Sequence, residues 1–188
     1  MITIDVSVKG IGPMMQAKHP TPDEEQEILK RLSNPKAKVK DMTDEEKFDM
    51  HAYKNDKGQF VQPGEMFEAA MVKAAVQYKL EGKKTYKDAF KGGIIVEQEL
   101  IVHKNQKFTM DARWGKNPST RGAVWVVRPR HDNWELDFTI NLLLDELIPT
   151  DIVKEVLTHA GMYVGIGAWR PKFGRFEVTK FTVNKSKK

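Results

Sequence analysis

From Gly161 to Arg175 the chain reads Gly-Met-Tyr-Val-Gly-Ile-Gly-Ala-Trp-Arg-Pro-Lys-Phe-Gly-Arg, with four glycines, three cations and no acid before Glu177. Glycine lets a backbone approach a ligand closely and adopts left-handed conformations at no steric cost. Gly165, Gly167 and Gly174 supply that freedom, Arg170, Lys172 and Arg175 supply positive charge, and Trp169 and Phe173 supply flat apolar faces. Charge neutralisation, close main-chain approach and ring stacking are what a phosphodiester chain with unpaired bases requires. The plain alternative is a helix-to-strand turn that happens to be basic.

A second basic stretch supports the first reading. Seven cations and one acid, Asp111, lie between Lys104 and Arg130, a net charge of +6 within a chain whose total is +5. Acids concentrate elsewhere, in residues 23–27 and 41–49. This layout predicts a basic face rather than general solubility. Arg113, Arg121, Arg128 and Arg130 are interleaved with Trp114 and Trp125. Guanidinium forks match phosphate geometry better than ammonium groups do. Trp114 and Trp169, flanked by cations, are the stacking candidates, whereas Trp125 among valines and Trp134, alternating with Leu136 and Phe138, read as core.

Other chemistry finds little support. The chain has no cysteine, which excludes thiol nucleophiles, thiolate zinc sites and disulfides, and fits a reducing, cytoplasmic setting. No apolar run reaches membrane-spanning length. Gly165-Ile-Gly167 follows a helical pattern instead of a strand, so it is no dinucleotide fingerprint. No Walker loop, nucleophile elbow or zinc spacing is present, and no cofactor or metal is expected. Glu135 and Asp137 share one strand face, as an exposed polar face would. The only catalytic candidate is His19, a general base for a ribose 2′-hydroxyl if a second group were poised beside it.

These residues need elements to hold them. Alternation over residues 2–9 predicts a strand. Thr21-Pro-Asp-Glu24 predicts a helix start, and residues 16–60 read as a helical, charged insertion. Pro63-Gly-Glu65 opens a helix carrying Met66, Phe67, Ala70, Met71 and Ala74 on one face. Strands are expected over Ile94–Val102, Ala123–Val127 and Trp134–Ile140, the last two paired across an Arg128–Asn133 turn. Thr150 caps a final helix, and a last strand runs from Phe176, followed by a basic tail at 184–188. The order strand, helix, strand, strand, helix, strand predicts an α+β fold: one ferredoxin-like βαββαβ domain over residues 1–188, an antiparallel sheet with both helices on one face. The open face of such sheets commonly meets RNA.

A glycine loop between the second helix and last strand of this unit resembles the signature of the RAMP superfamily, the repeat-associated proteins of CRISPR effector complexes. That signature runs hydrophobic-Gly, a basic interval, then Gly before the last strand, here Gly165-Ile-Gly167 through Gly174-Arg175-Phe176. Val164-Gly-Ile-Gly-Ala-Trp-Arg-Pro also looks like a form found in small phage or prophage proteins. The resemblance covers about residues 63–184 and the first strand. The chain lacks the bulk of a crRNA-backbone subunit, which points to a stand-alone relative. It implies a non-enzymatic protein that binds single-stranded RNA or DNA, with self-association along the strand. The alternatives are a metal-independent endoribonuclease using His19, and a phage protein-interaction or inhibitor module whose acidic residues 41–49 meet a protein.

Overall fold

Ile4, Val6 and Val8 are buried, while the residues between them are not, so the first strand, β1 (Ile2–Gly10), lays one face on the core. The computed structural model describes residues 1–31, 41–116 and 119–185. Residues 32–40 of the expected insertion and residues 186–188 of the expected tail lie outside them. After β1 come β2 (Met14–Met15), helices α1 (Pro22–Arg31) and α2 (Asp44–His51), β3 (Val61–Pro63) and helix α3 (Glu65–Ala74). A small ribbon, β4 (Lys79–Glu81) and β5 (Lys84–Thr85), leads to helix α4 (Lys87–Gly93), then β6 (Ile94–Val96), β7 (Leu100–Val102), β8 (Thr109–Lys116), β9 (Ala123–His131) and β10 (Glu135–Leu142). Helix α5 (Thr150–His159) and one π turn, Ala160–Val164, precede the last strand, β11 (Phe176–Lys185).

The main sheet has the order β11-β1-β10-β6, antiparallel throughout. With α3 and α5 packed on one face, this is the ferredoxin-like arrangement. Phe67 and Met71 of α3 and Val153, Val156 and Leu157 of α5 meet the inward residues Leu136, Phe138 and Ile140 of β10 in one apolar cluster. Ala70 and Ala74 are buried with them, and their small side chains let α3 lie close to the sheet. None of the described helices is long and apolar enough to cross a membrane.

Five local expectations are corrected. Residues 94–102 make two short strands in different sheets, β6 against β10 and β7 against β3, because the polar Glu97-Gln98-Glu99 interrupts the apolar run. Arg128–His131 is strand, not turn, since β9 continues to His131. Nor does β9 pair with β10: β10 is flanked by β1 and β6, and β9 belongs to a second sheet of order β2-β9-β8. Eight paired positions between β1 and β10 outweigh the nearness of β9 in sequence. Finally, Pro149 rather than Thr150 occupies the cap position of α5, and no side chain caps it. Asn184 and Lys185, assigned from sequence to the tail, pair with Thr3 and Ile2.

The expected helix start at Thr21 is present: Thr21 Oγ1 accepts from the Glu24 amide at 3.3 Å, and Glu24 Oε2 accepts from the Thr21 amide at 2.9 Å. The same reciprocal cap recurs at Thr43 and Glu46 and starts α2. One part of the core tests the packing. Phe67 is fully buried, 4.4 Å from the Phe138 ring centre and 5.4 Å from that of Phe176. Phe67→Ala is expected to cost about 3–5 kcal/mol of stability, read as a lowered urea midpoint with little change in slope.

Candidate nucleic-acid interface

Three hydrogen bonds fix the base of the glycine loop. The Gly165 amide donates to Ala160 O at 2.8 Å, Ile166 to Gly174 O at 2.9 Å, and Gly174 to Pro13 O at 2.9 Å. Ala168 donates to Met15 O at 2.8 Å, and this attaches the loop to β2. Gly165, Gly167 and Gly174 all have positive φ, between 70° and 78°. At Gly174 a Cβ would lie 1.7 Å from Ile166 O, and at Gly167 it would lie 2.4 Å from Met15 O. These glycines therefore serve close internal packing, and the amides of Gly165 and Gly174 face protein acceptors. Of the loop donors, those of Gly167, Trp169, Arg170 and Lys172 have no main-chain acceptor among the described residues.

The loop's tip is open where its base is closed. Ile166, Phe173 and Gly174 are buried, whereas Trp169 is 37 % exposed and Arg170, Lys172 and Arg175 are exposed. Trp169 is itself left-handed, with φ of 55°, a conformation that costs a non-glycine residue about 1–2 kcal/mol.

The tip lies against the arginine-bearing face of the β8–β9 hairpin. Side chains alternate, so Asp111 and Arg113 of β8 share a face with Arg128 and Arg130 of β9. The Arg128 guanidinium carbon is 4.6 Å from the Trp169 ring centre, and that of Arg113 is 5.2 Å from it and 5.7 Å from the Phe173 ring centre. Guanidinium–ring contacts of this kind contribute about 0.5–2 kcal/mol each, more as they are desolvated. The two basic stretches of the sequence thus meet in space.

Charge within this face is partly neutralised. Asp111, the one acid of the basic run, is buried and forms an ion pair with Arg113 and a second with Arg130 at 3.5 Å. Arg130 also reaches Asp132 at 2.7 Å, and these partners hold its guanidinium above the ordinary arginine range. Arg128 differs: burial lowers its pKa, with Asp111 opposing the shift, and its Nε and Nη1 are buried without a hydrogen-bond partner. Arg170, Lys172, Arg175 and Arg121 form no ion pair with a described acid. They are the cations available to an external anion.

Some sequence-selected residues stand apart. Trp114 is 69 % exposed on the opposite face of the hairpin, edge-on to Trp125 at 5.3 Å. Trp125 is half-buried instead of core, its Nε1 donating to Asp44 Oδ1 at 2.9 Å, whereas Trp134 is buried as expected. Arg121 occupies the exposed far end of the hairpin with φ of 57°. Arg170 borders a separate groove of about 460 Å³ that also contains Glu65 and Glu68. His19 is exposed and makes no hydrogen bond to a described residue. The open face of the main sheet carries no aromatic side chain among the described residues. Its Asp5 accepts from Asn184 at 2.8 Å and its Asp137 pairs with Lys104 at 2.8 Å. Acids of residues 41–49 are also used internally, Glu46 at its cap, Asp44 on Trp125 and Asp49 on Lys54.

Sequence reading missed two histidines that brace the hairpin. His103 and His131 are 2 % and 0 % exposed, their ring centres 5.0 Å apart, and none of their ring nitrogens has a hydrogen-bond partner. Phe108 stacks on His131 at 4.3 Å and on Phe60 at 4.0 Å. Burial, and for His103 the neighbouring His131, pushes the rings down to about 3 and about 4 respectively; Asp132 opposes the shift of His131. In sequence His103 ends the apolar run Leu100–Val102, whereas His131 stands between Arg130 and Asp132 and gives no sign of burial.

Compared with known proteins, no protein-family model and no curated protein matches the chain. Among solved structures its fold is similar to a chain of the Type III-B Cmr-beta complex, determined by cryo-EM bound to cognate target RNA. The TM-score is 0.59 at 10 % identity, and the match covers 98 % of this chain and 61 % of that one. This likeness is one of fold, and the present chain spans about three-fifths of that neighbour's length.

Two predictions follow from this geometry. Gly174→Ala is expected to lower the melting temperature by at least about 4 °C, since a cost of roughly 2 kcal/mol shifts a protein of this size by 2–4 °C per kcal/mol. The buried imidazoles bind protons in the unfolded chain near pH 6.5 but in the folded one only near their depressed values. Their stabilising contribution is therefore complete above about pH 6.5 and is lost as pH falls toward 4, by about 2 kcal/mol per ring at pH 5. Urea midpoints at pH 7 and pH 5 check this, and His103→Leu with His131→Leu should flatten the difference.

Proposed function

We propose that this chain is a non-enzymatic, single-stranded nucleic-acid-binding protein of RAMP-like character, a stand-alone phage or prophage relative. One observation carries the reading: the cationic tip of the glycine loop, with Trp169 half-open, lies on the arginine face of the β8–β9 hairpin. Arg170, Lys172 and Arg175 neutralise phosphates at that tip, with the free amides of Gly167 and Trp169 beside them. Arg128 and Arg113 hold the Trp169 ring so that its exposed surface can receive a base. Arg130 and Arg121 extend the positive surface along the hairpin, and Trp114 offers a second ring on its far side.

Stacking and charge, unlike base-edge readout, are tolerant of sequence. Among the described residues the polar open sheet face has no ring to stack a base on, so the loop-and-hairpin end carries the contact. That the Cmr-beta structure is bound to target RNA favours RNA over DNA as the strand. Copies lined along one strand are compatible with a site at one end of the sheet.

Fluorescence anisotropy with single-stranded RNA, single-stranded DNA and duplex at several salt concentrations tests the proposal. Contact with about five phosphates gives a slope of log K against log salt near −3.5 on a single strand. Replacing Arg170, Lys172 and Arg175 together by alanine should reduce that slope by about 2. Trp169→Ala should weaken binding by about 1–2 kcal/mol with the slope unchanged. A flat salt response, or a preference for duplex, excludes the reading.

A further inference from the structure

Beside the arginine face lies a groove that the loop does not use. Strand β2 pairs with β9 only at His131 and Arg130. Past that point the edge of β9 is flanked by α2, and a groove of about 330 Å³ separates them. Met50 and His51 of α2 and Val124, Trp125 and Arg128 of β9 are among its lining residues. A second cavity, of about 280 Å³ between α1 and α2, is lined by Glu24, Glu46 and Asp49 and would repel a phosphate chain.

Some polar groups of the first groove are unmatched among the described residues. Pro129 O accepts from the Gln16 amide at 2.9 Å, on the side of β9 away from β8. Antiparallel alternation then turns the main-chain N–H and C=O of Val127 and Trp125 the same way, toward α2; Val127 is buried, and Trp125 is the half-exposed one of the two. Neither residue bonds to another element through its main chain among the described residues. His51 Nδ1 lies 3.0 Å from Lys18 O. A carbonyl only accepts, so Nδ1 carries the proton and Nε2 is left as an acceptor. Nε2 has no described partner and is not sealed from solvent. Burial, with the charges of Arg128 and His19, keeps this ring below the ordinary histidine range despite the Lys18 contact, so it stays neutral. At the same end Arg128 Nε and Nη1 are sealed from solvent without acceptors, which is costly, whereas its Nη2 is not sealed and has no described partner. Trp125, pinned by Asp44, gives the groove a fixed aromatic wall.

We propose that this groove is a nucleobase subsite: one unpaired base, turned out of the strand crossing Trp169 and Arg128, lies against Trp125 and has its edge read by the β9 main chain, His51 Nε2 and Arg128. The subsite rests on the single-strand reading above. Unmatched donors and an acceptor in one cleft fit a base edge, which presents both kinds of group. The volume lies at the small end of pockets that enclose small molecules, which suits a single base and is too little for an added peptide strand.

Anisotropy with two labelled strands of equal length, one bearing bases and one abasic throughout, separates this inference from the one beneath it. Val124→Trp fills the groove from an exposed position, and His51→Leu removes the acceptor; melting curves verify that both variants fold. Each variant is expected to weaken the base-bearing strand about tenfold, within what one stacked base contributes, and to leave the abasic strand's affinity and salt slope unchanged. Equal losses on both strands, or a variant that leaves the base-bearing strand unaffected, overturns the subsite and spares the single-strand reading. If the unaltered protein binds neither strand, both fall.

Discussion

The attachment of the glycine loop to β2 is the constraint on which this end of the molecule depends. Ala168 and Gly174 bond to the carbonyls of Met15 and Pro13, and only glycine fits at 167 and 174, where main chain meets main chain. Because β2 also pairs with β9, that contact joins the main sheet's final connection to the second sheet. Without it Trp169 would have no reason to meet Arg128. Each amide that faces inward is one fewer to offer a ligand, so the loop's role shifts from its backbone to its side chains.

Electrostatics at this face is a balance and not a simple sum. Asp111 sets Arg113 and Arg130 in position and at the same time cancels part of their charge. Ion pairs on a buried carboxylate such as this one are weak evidence for stability. The exposed cations of the loop tip then carry the attraction, and Arg128, short of partners, carries the polarity.

Much of this was legible in the sequence. Period-two alternation in residues 2–9 and apolar spacing in residues 66–74 gave the main sheet's centre and its covering helix, because burial on one face leaves that imprint. The meeting of the loop with the arginine run was an expectation raised by two basic, aromatic-bearing stretches in a chain whose remainder is net acidic; it took the fold to set Trp169 against Arg128. What could not be read was the pairing of β9. Its valines suit a strand beside β8 as well as one beside β10, and the choice is made by β1 and β6, which lie far away in sequence. His51 was equally hidden. Nothing about a histidine at the end of a polar helix announces that its ring is held by the Lys18 carbonyl or that Arg128 lies nearby.

The register of β1 against β11 has a practical consequence. Ile2 lies opposite Lys185 at one end of the pair, and Gly10 lies opposite Phe176, next to the loop, at the other. Strands rise about 3.3 Å per residue, so Ile2 and Lys185 lie side by side roughly 25 Å from the loop. Anything tethered at Ile2 or at Lys185 leaves from that shared corner. A surface-immobilised or tagged form, attached at whichever end, would hold the cationic tip outward and unobstructed.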